Sequence, residues 1–315
     1  MRVLRDHEGT LGPGPRVVAV GVFDGLHRGH QALLRSCLTL ADGAATAVVT
    51  FDPHPAVVLA PDRAPSQLAT LEQRLEGLAV LGVDAVRVVT FSDELARESA
   101  ESFVERVLLA ECAASIVVVG EDFRFGHDRQ GDVSLLRTMG ERHGFVVAPL
   151  AIVGDGRRWS STTVRAALAD GQLASANDVL GRPFTVRGVV ERGDQRGREL
   201  GYPTANLRLT PRQALPSDGV YAGAARVHGA WRSAAVSVGT RPQFYADGSR
   251  LVEVHLPGFA GDLYDQTLDV AFLERLRTMD VFDSLEALVA QMGADTARSV
   301  DIFENFSPRD HQLLG

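Results

Sequence analysis

Between residues 16 and 153 the apolar positions of the chain change period repeatedly. Val17, Val18 and Val20 form a short continuous apolar run, and Leu33, Leu34, Cys37, Leu38 and Ala41 then recur at helical spacing. The exchange continues: 47–51 reads as a strand and 71–81 as a helix, then 85–91 as a strand and 99–112 as a helix. A strand at 116–120, a polar loop, a helix at 133–143 and a strand at 145–152 complete the series. Apolar strands alternating with amphipathic helices predict βαβ units and a parallel sheet covered on both faces. Ligands of such sheets bind beyond the carboxyl ends of the strands, so the turns that follow each strand are where chemistry is expected.

Two short helical stretches, 164–168 and 173–180, lead to Gly181-Arg182-Pro183, which reads as the boundary between a domain of residues 1–182 and one of residues 183–315. Beyond it the pattern changes character. Runs at 186–190, 221–227, 234–238, 251–256 and 268–272 follow one another with turns and no intervening helix, which predicts an antiparallel sheet or small barrel. A helical pattern at 285–303 closes the chain.

Composition narrows the class. A chain of 315 residues, 45% hydrophobic and 23% charged, suits a globular protein with about two domains on a prior of ~150 residues each. The net charge of −8 argues against a general nucleic-acid or anionic-membrane binder, so an anionic ligand has to be small and met locally. Cys37 and Cys112 lie far apart in apolar helical patterns with no metal spacing, as expected for buried thiols in a reducing cytosol. Residues 1–15 are polar, and no apolar run is long enough to span a bilayer. These features give a cytoplasmic reading.

The candidate chemistry begins at Gly21-Val22-Phe23-Asp24-Gly25-Leu26-His27-Arg28-Gly29-His30, between the first strand and the first helix. Free N–H groups and the positive end of the dipole make a helix N-terminus a ready anion site, and glycines let a ligand approach the backbone. His27 and His30, three residues apart, can both face one phosphate chain. A polar surface turn is the plainer reading of two histidines beside glycines, but the strand before and the helix after favour the phosphate site. The glycine spacing is not G-x-G-x-x-G, and no P-loop Gly-Lys-Ser/Thr follows.

Other strand ends add to this. Phe51-Asp52-Pro53-His54-Pro55 holds Asp52 and His54 in a turn stiffened by proline. Gly120-Glu121-Asp122-Phe123-Arg124-Phe125-Gly126 alternates aromatics with Asp122 and Arg124, which suits a loop that stacks on a flat ring and offers a guanidinium to phosphate. Ser160-Ser161-Thr162 precedes a helix carrying Arg165, either as capping hydroxyls or as a second anion site. In the second half, Gly193, Arg196, Gly197, Arg198 and Gly201 surround a glycine-rich turn that reads as a phosphate loop or as an exposed hairpin. Thr204 and Asn206 share a face two residues apart, as neutral oxygens suited to a hydrated Mg²⁺, and Glu253 is a carboxylate flanked by valines.

Taken together, His27-x-Gly-His30, the 51–55 turn, the 120–126 loop and Ser160-Ser161-Thr162-x-Val164-Arg165 resemble the prokaryotic bifunctional riboflavin kinase/FAD synthetase family. Gly201-Tyr202-Pro203-Thr204-Ala205-Asn206, Asp218-Gly219-Val220-Tyr221 and Val252-Glu253-Val254-His255 extend the resemblance to nearly the whole chain. It implies a Rossmann-like α/β nucleotidyltransferase domain that adenylylates FMN, followed by a small antiparallel β-barrel riboflavin kinase domain with a C-terminal helix. By the same resemblance His27, His30, Ser161, Thr162 and Arg165 hold ATP phosphates, with Gly21, Phe23, Asp24 and Gly29 shaping their turn. Asp52, His54, Asp122, Phe123 and Arg124 lie on the flavin side. Thr204 and Asn206 hold Mg²⁺ with ATP, and Glu253 activates the ribityl hydroxyl. The implied partners are riboflavin, FMN, FAD and ATP, with no nucleic acid and no membrane, and a homo-oligomer is left open. The chain departs from the family pattern at Val22, Ser237, Gln243 and Asp265. Two rivals follow from these departures: an adenylyltransferase whose kinase is weakened or altered in specificity, and a flavin-binding protein without turnover.

Overall fold

The computed structural model describes residues 1–6, 8–151, 158–193, 197, 200–240 and 250–307. The chain divides into two compact units, Met1–Pro65 with Leu71–Ser160, and Ser66–Thr70 with Ser161–Gly315.

In the first unit β1 (Arg2–Leu4), β2 (Arg16–Val20), β3 (Ala45–Asp52), β4 (Ala85–Thr90), β5 (Ala114–Gly120) and β6 (Val146–Leu150) form one sheet, ordered β1-β4-β3-β2-β5-β6. Every pairing in it is parallel. The connecting helices are α1 (Arg28–Ala41), α2 (Pro55–Leu59), α3 (Leu71–Val80), α4 (Asp93–Ala96), α5 (Ala100–Phe103) and α6 (Val133–His143). Val17, Val18, Val48, Val49, Val117, Val118 and Val119 are all buried, which is why these strands carry continuous apolar runs instead of alternation.

Two differences from the sequence expectation have local causes. The three-residue β1 is too short to show any period, yet it extends the sheet by pairing Arg2 through Leu4 with Ala85 through Arg87. The helix expected over 99–112 starts as α5, capped by the Ser99 hydroxyl, and then widens into a π-helical stretch, Val104–Glu111. There the Cys112 N–H reaches back five residues to the Val107 carbonyl, at 3.0 Å.

The second unit begins with α7 (Ser161–Ala169) and α8 (Leu173–Leu180). It continues as a closed antiparallel barrel of β7 (Phe184–Glu191), β8 (Thr204–Leu209), β9 (Gly219–Val227), β10 (Ala230–Thr240), β11 (Arg250–His255) and β12 (Thr267–Arg277). Closure removes the sheet edges that a six-stranded ribbon would otherwise expose. Val186, Val236, Val252, Val254 and Val270 are buried at alternate positions, so their strand neighbours face outward. The apolar runs predict five strands. The sixth, β8, has only Leu207 fully buried and turns Thr204, Asn206 and Arg208 to the other face, so it shows no run. The closing helix α9 (Leu285–Glu304) is capped by the Ser284 hydroxyl and packs on β9, β10 and β12. Its buried Asp295 pairs with Arg277, at 2.9 Å.

Helix α6 generates a stability prediction. Gly140 lies one turn before the helix end, and a Cβ there would stand 2.4 Å from the carbonyl oxygen of Phe145 as the chain folds back. Glycine to alanine inside a helix ordinarily stabilises by roughly 1 kcal/mol. Here the backbone contact reverses the sign, and Gly140→Ala should destabilise the first unit by about 1–3 kcal/mol, the range for overpacked sites. Urea or thermal unfolding reads this directly, and a midpoint at or above that of the wild type would contradict it.

Candidate functional site

The strand order of the first unit reverses at β2 and β5: β3 and β4 build outward on one side of β2, and β6 on the other side of β5. A crevice forms at the carboxyl ends of strands at such a reversal, and the turns after β2 and β5 both open onto it. After β2 the Gly21 N–H donates to the Val49 carbonyl, at 3.1 Å, and the chain then takes a tight course through three left-handed residues. These are Phe23 (φ 56), Gly25 (φ 80) and Leu26 (φ 44), with the Leu26 N–H bonded to the Phe23 carbonyl at 3.2 Å. Phe23 and Leu26 are buried, as is Asp24 between them.

His27 caps α1. Its Nδ1 accepts the His30 N–H at 3.3 Å, which leaves the proton of the neutral ring on Nε2. One turn on, the His30 ring stacks on that of His27, with centroids 3.6 Å apart and planes 24° apart, and Phe23 lies against its other side at 5.2 Å. His30 Nδ1 is buried without a hydrogen-bond partner. Burial of the ring, and secondarily the charge His27 would carry, hold the His30 imidazole well below its ordinary value. Gly29 is required sterically, because a Cβ there would come within 2.9 Å of the Trp159 carbonyl and 3.1 Å of the His27 ring. Trp159 also lies under the Arg28 guanidinium, 5.7 Å from ring centroid to cation.

Beside this turn is a cavity of about 770 Å³ that shares Gly21 and Val22 with it. Its walls are aromatic: Phe51 from the end of β3, Phe91 just beyond β4, Phe103 from α5, and Phe123 and Phe125 after β5. Phe123 and Phe125 stack at 5.2 Å, and Phe51 meets Phe91 edge-on at 6.0 Å. Arg97, Arg124, His127 and Arg129 also line it. Gly126 and Gly131 hold the 123–131 loop down on α5, since a Cβ at either would fall 2.7 Å from Ala100. Asp93, Glu98 and Asp128 line the cavity as well, so the volume and the apolar walls suit a flat aromatic ligand, with charged groups of both signs beside it.

Of the residues assigned to the flavin side, Phe123 and Arg124 line the cavity. Asp122 pairs with Arg158. Asp52, before a cis proline bond, accepts from Arg74 at 3.2 Å, and His54 Nδ1 caps α2 through the Ala56 N–H at 3.0 Å. The pattern reading gave no wall role to Phe51, Phe91 and Phe103, of which the first two lie at or just beyond strand ends and the third in α5. It also missed Arg74, a cation on the apolar face of α3 with Leu71 and Leu78, where a charge calls for a reason.

In the second unit Ser161 and Thr162 open α7, and Arg165 Nε donates to the Ser66 carbonyl at 2.5 Å. On the barrel, register sets four outward positions side by side: Glu191 opposite Asn206, Asn206 opposite Glu253, and Glu253 opposite Ser237. Ser237 Oγ donates to Glu253 Oε2 at 3.4 Å. Thr204 shares the face of Asn206, two residues before it. Gly193 leaves room for the Asn206 amide, which a Cβ would approach within 2.2 Å, and Gly197 does the same for the Tyr202 carbonyl at 2.4 Å. Gly201 has φ 84. Asp265, where the family pattern has glycine, itself sits in the left-handed region at φ 60, a conformation aspartate tolerates better than most residues. A cavity of about 530 Å³ lies between Thr204 and Ala205 of β8, Val254 of β11 and the 259–264 turn. Arg196, Arg198 and Gln243 lie outside the described residues.

Comparison with known proteins bears on both units. A FAD synthetase family model matches residues 12–163, and a riboflavin kinase family model matches residues 180–303. A bifunctional riboflavin kinase/FMN adenylyltransferase of Pseudomonas fluorescens is 41% identical over 284 residues, covering 89% of this chain and 91% of its own length. The enzymes of the same name from Escherichia coli K12 and Listeria monocytogenes are 38% and 35% identical, covering 91% and 89% of this chain and 92% and 90% of their own. A solved structure from Streptococcus pneumoniae, described as a macrolide-efflux protein, superposes with a TM-score of 0.84 at 32% identity, over 98% of this chain and all of that one. Among the described residues no helix is long and apolar enough to cross a membrane.

The environment of His30 predicts a pH dependence. An unfolded histidine titrates near its ordinary value of about 6.5, and the folded one titrates lower. Between the two values the unfolded chain holds the extra proton, so stability is lost as pH falls through 6.5, at up to about 1.4 kcal/mol per pH unit. His30→Gln should flatten the stability of the first unit between pH 6.5 and 5. Equal slopes in the two proteins would assign the effect to another group.

Proposed function

Since the chain belongs to the bifunctional riboflavin kinase/FMN adenylyltransferase family, we propose how its residues divide the two reactions. The chain phosphorylates riboflavin to FMN with ATP and adenylylates FMN to FAD. On our reading the second reaction belongs to the His27/His30 site and the first to the outer face of the barrel around Glu253, with residues 1–182 and 183–315 as the two domains.

One observation supports the adenylyltransferase assignment above the others. Gly21 and Val22 line the aromatic cavity and lead straight into the turn that carries the stacked histidines. A flavin ring among Phe51, Phe91, Phe123 and Phe125 would therefore have its phosphate tail near the N-terminus of α1. The FMN phosphate oxygen attacks the α-phosphorus of ATP, a bond to that phosphorus forms, and the bond to the departing pyrophosphate breaks. Negative charge grows on both sides of that phosphorus. The imidazole N–H groups of His27 and His30, with the backbone N–H of Gly29 in the first turn of α1, are donors that bind this charge more strongly in the transition state than in the ground state. To Ser161, Thr162 and Arg165 we assign phosphate binding on the family resemblance of residues 160–165 alone.

On the barrel, Glu253 takes the proton of the ribityl 5′-hydroxyl as that oxygen attacks the γ-phosphate, and ADP leaves. Among the described residues no group of three or more His, Cys, Asp and Glu side chains could hold a metal by itself. Thr204 and Asn206 fit Mg²⁺ in the other way common for nucleotide enzymes, as neutral oxygens that supplement water and phosphate. There the ion would neutralise phosphate charge, while Gly193 keeps the Asn206 amide in place. The cytosol, where thiols such as the buried Cys37 and Cys112 stay reduced, is the compartment we assign.

Incubation with riboflavin, ATP and Mg²⁺, and in parallel with FMN, followed by chromatography of the flavins, tests the division. His30→Ala should lower FAD formation by 10²-fold or more, the scale for a donor to transition-state charge, and leave FMN formation within about twofold. Glu253→Gln should do the reverse, with loss of about 10²- to 10⁴-fold in FMN formation and normal FAD formation from FMN. Folded variants that lose both activities together would overturn the assignment.

A further inference from the structure

We propose that Arg74 is a positioning residue for adenylyl transfer, whose buried guanidinium holds the turn after β2 in the one conformation that presents His27 and His30. The inference rests on the assignment of FAD formation to those histidines.

Arg74 comes from α3, remote in sequence from the histidine motif, and is 3% exposed. Its Nη1 donates to three oxygens: the Val22 carbonyl at 2.8 Å, Thr50 Oγ1 at 3.1 Å and the Phe51 carbonyl at 3.1 Å. Nη2 donates to Asp52 at 3.2 Å. Thr50 Oγ1 in turn donates to the Val22 carbonyl, at 3.0 Å. One side chain thus ties together the ends of β2 and β3. Burial lowers the guanidinium from its ordinary value, and the charges of Asp24, in the histidine turn itself, and then of Asp52 work against this.

The position of the Val22 carbonyl gives this network its consequence. Val22 directly precedes Phe23, a bulky residue held at φ 56, and Leu26 follows at φ 44. Left-handed backbone is strained for such residues, and it persists only where the surroundings over-determine it. Phe23 is buried against the His30 ring, so a turn that relaxed toward ordinary φ would carry Phe23 away and release the histidine stack. Arg74 and Thr50 grip the last carbonyl before the strained residues and thereby oppose that relaxation. A simple core role would not need a fork: an apolar side chain fills the same space, and a lysine supplies the same charge. Neither reproduces a planar guanidinium that bonds a backbone carbonyl and a carboxylate together.

The test compares Arg74→Lys, Arg74→Met and Arg74→Ala with His30→Ala, each assayed for FAD formation from FMN and for FMN formation from riboflavin. The kinase rate of the same preparation reports the concentration of intact protein. Misplacement of reacting groups by an ångström costs about 10²-fold, so Arg74→Met and Arg74→Ala should lose FAD-forming kcat on that scale and Arg74→Lys about 10-fold. KM for ATP and FMN should move less than about threefold, and FMN formation should stay at the wild-type rate. Added guanidinium ion should restore part of the kcat of Arg74→Ala and none of that of His30→Ala. Should Arg74→Ala fail to fold, Arg74→Met and Arg74→Lys carry the test, since both keep the aliphatic stem. FAD-forming kcat within twofold of wild type in either would overturn the proposal, as would a loss expressed only in KM. If His30→Ala itself forms FAD normally, the assignment of the site fails, and the Arg74 proposal falls with it.

Discussion

The space available at Gly29 sets the terms for the first unit. With the Trp159 carbonyl on one side of it and the His27 ring on the other, the N-terminus of α1 tolerates no Cβ at this position. Burial also desolvates the His30 ring, which holds its imidazole well below the ordinary value and favours the neutral form. Neutrality has a use here. An imidazolium pair stacked at 3.6 Å would repel, whereas two neutral rings can stack and still aim an N–H outward. An incoming polyphosphate changes the balance, because a nearby anion favours the protonated form of the ring it touches. The site can therefore gain positive charge when negative charge arrives, without storing that charge in the free protein.

The two units bring their candidate site residues together by different architectures. A parallel sheet sends every strand the same way, so the turns after β2, β3, β4 and β5 all emerge on one side, and aromatic residues that follow or end β3, β4 and β5 make a single cavity beside Gly21 and Val22 of the turn after β2. An antiparallel barrel has no such common side. Its chemistry is set by register across strands, which aligns Asn206, Glu253 and Ser237 on the outer face while alternate valines fill the interior. In the first case the loops carry the ligand groups on a rigid frame. In the second the frame itself does.

Much of this could be read from the sequence, for reasons that separate what was found from what was missed. Strands buried on both faces announce themselves as apolar runs, so β2, β3, β4 and β5 were plain, as was the change to antiparallel runs after Pro183. Histidines and glycines at a change of period marked the turn that the structure shows between β2 and α1. By contrast, β8 is polar on one face, where Thr204 and Asn206 lie, and buries only Leu207 fully on the other, so it carries no apolar signature. The aromatic wall was invisible because Phe51, Phe91 and Phe103 are far apart in sequence and each reads as ordinary core. Arg74 was passed over because a helix pattern is scored on its apolar positions, and the one cation among them counts as noise. The compact units also part at Ser160/Ser161, whereas the change in composition comes at Pro183, since α7 and α8 read like the helices before them but pack with the barrel strands, α8 against β7 and β12.

Charge connects these features. With a net charge of −8 the protein repels a nucleotide triphosphate at long range, beyond what screening over a Debye length of about 8 Å removes. On the proposed assignment attraction comes from groups close to the ligand: imidazole and helix N–H donors in one site, and in the other the Mg²⁺ that the Thr204 and Asn206 oxygens would help to hold. Donors of this kind gain their strength from being held in place in a dry setting, because a preorganised dipole need not reorient as charge develops. Geometry then matters more than total charge. A site that depends on placement in this way is most sensitive to the groups that fix backbone and ring positions, such as Gly29, Gly193 and the buried guanidinium under the first turn, even though none of them carries out the chemistry.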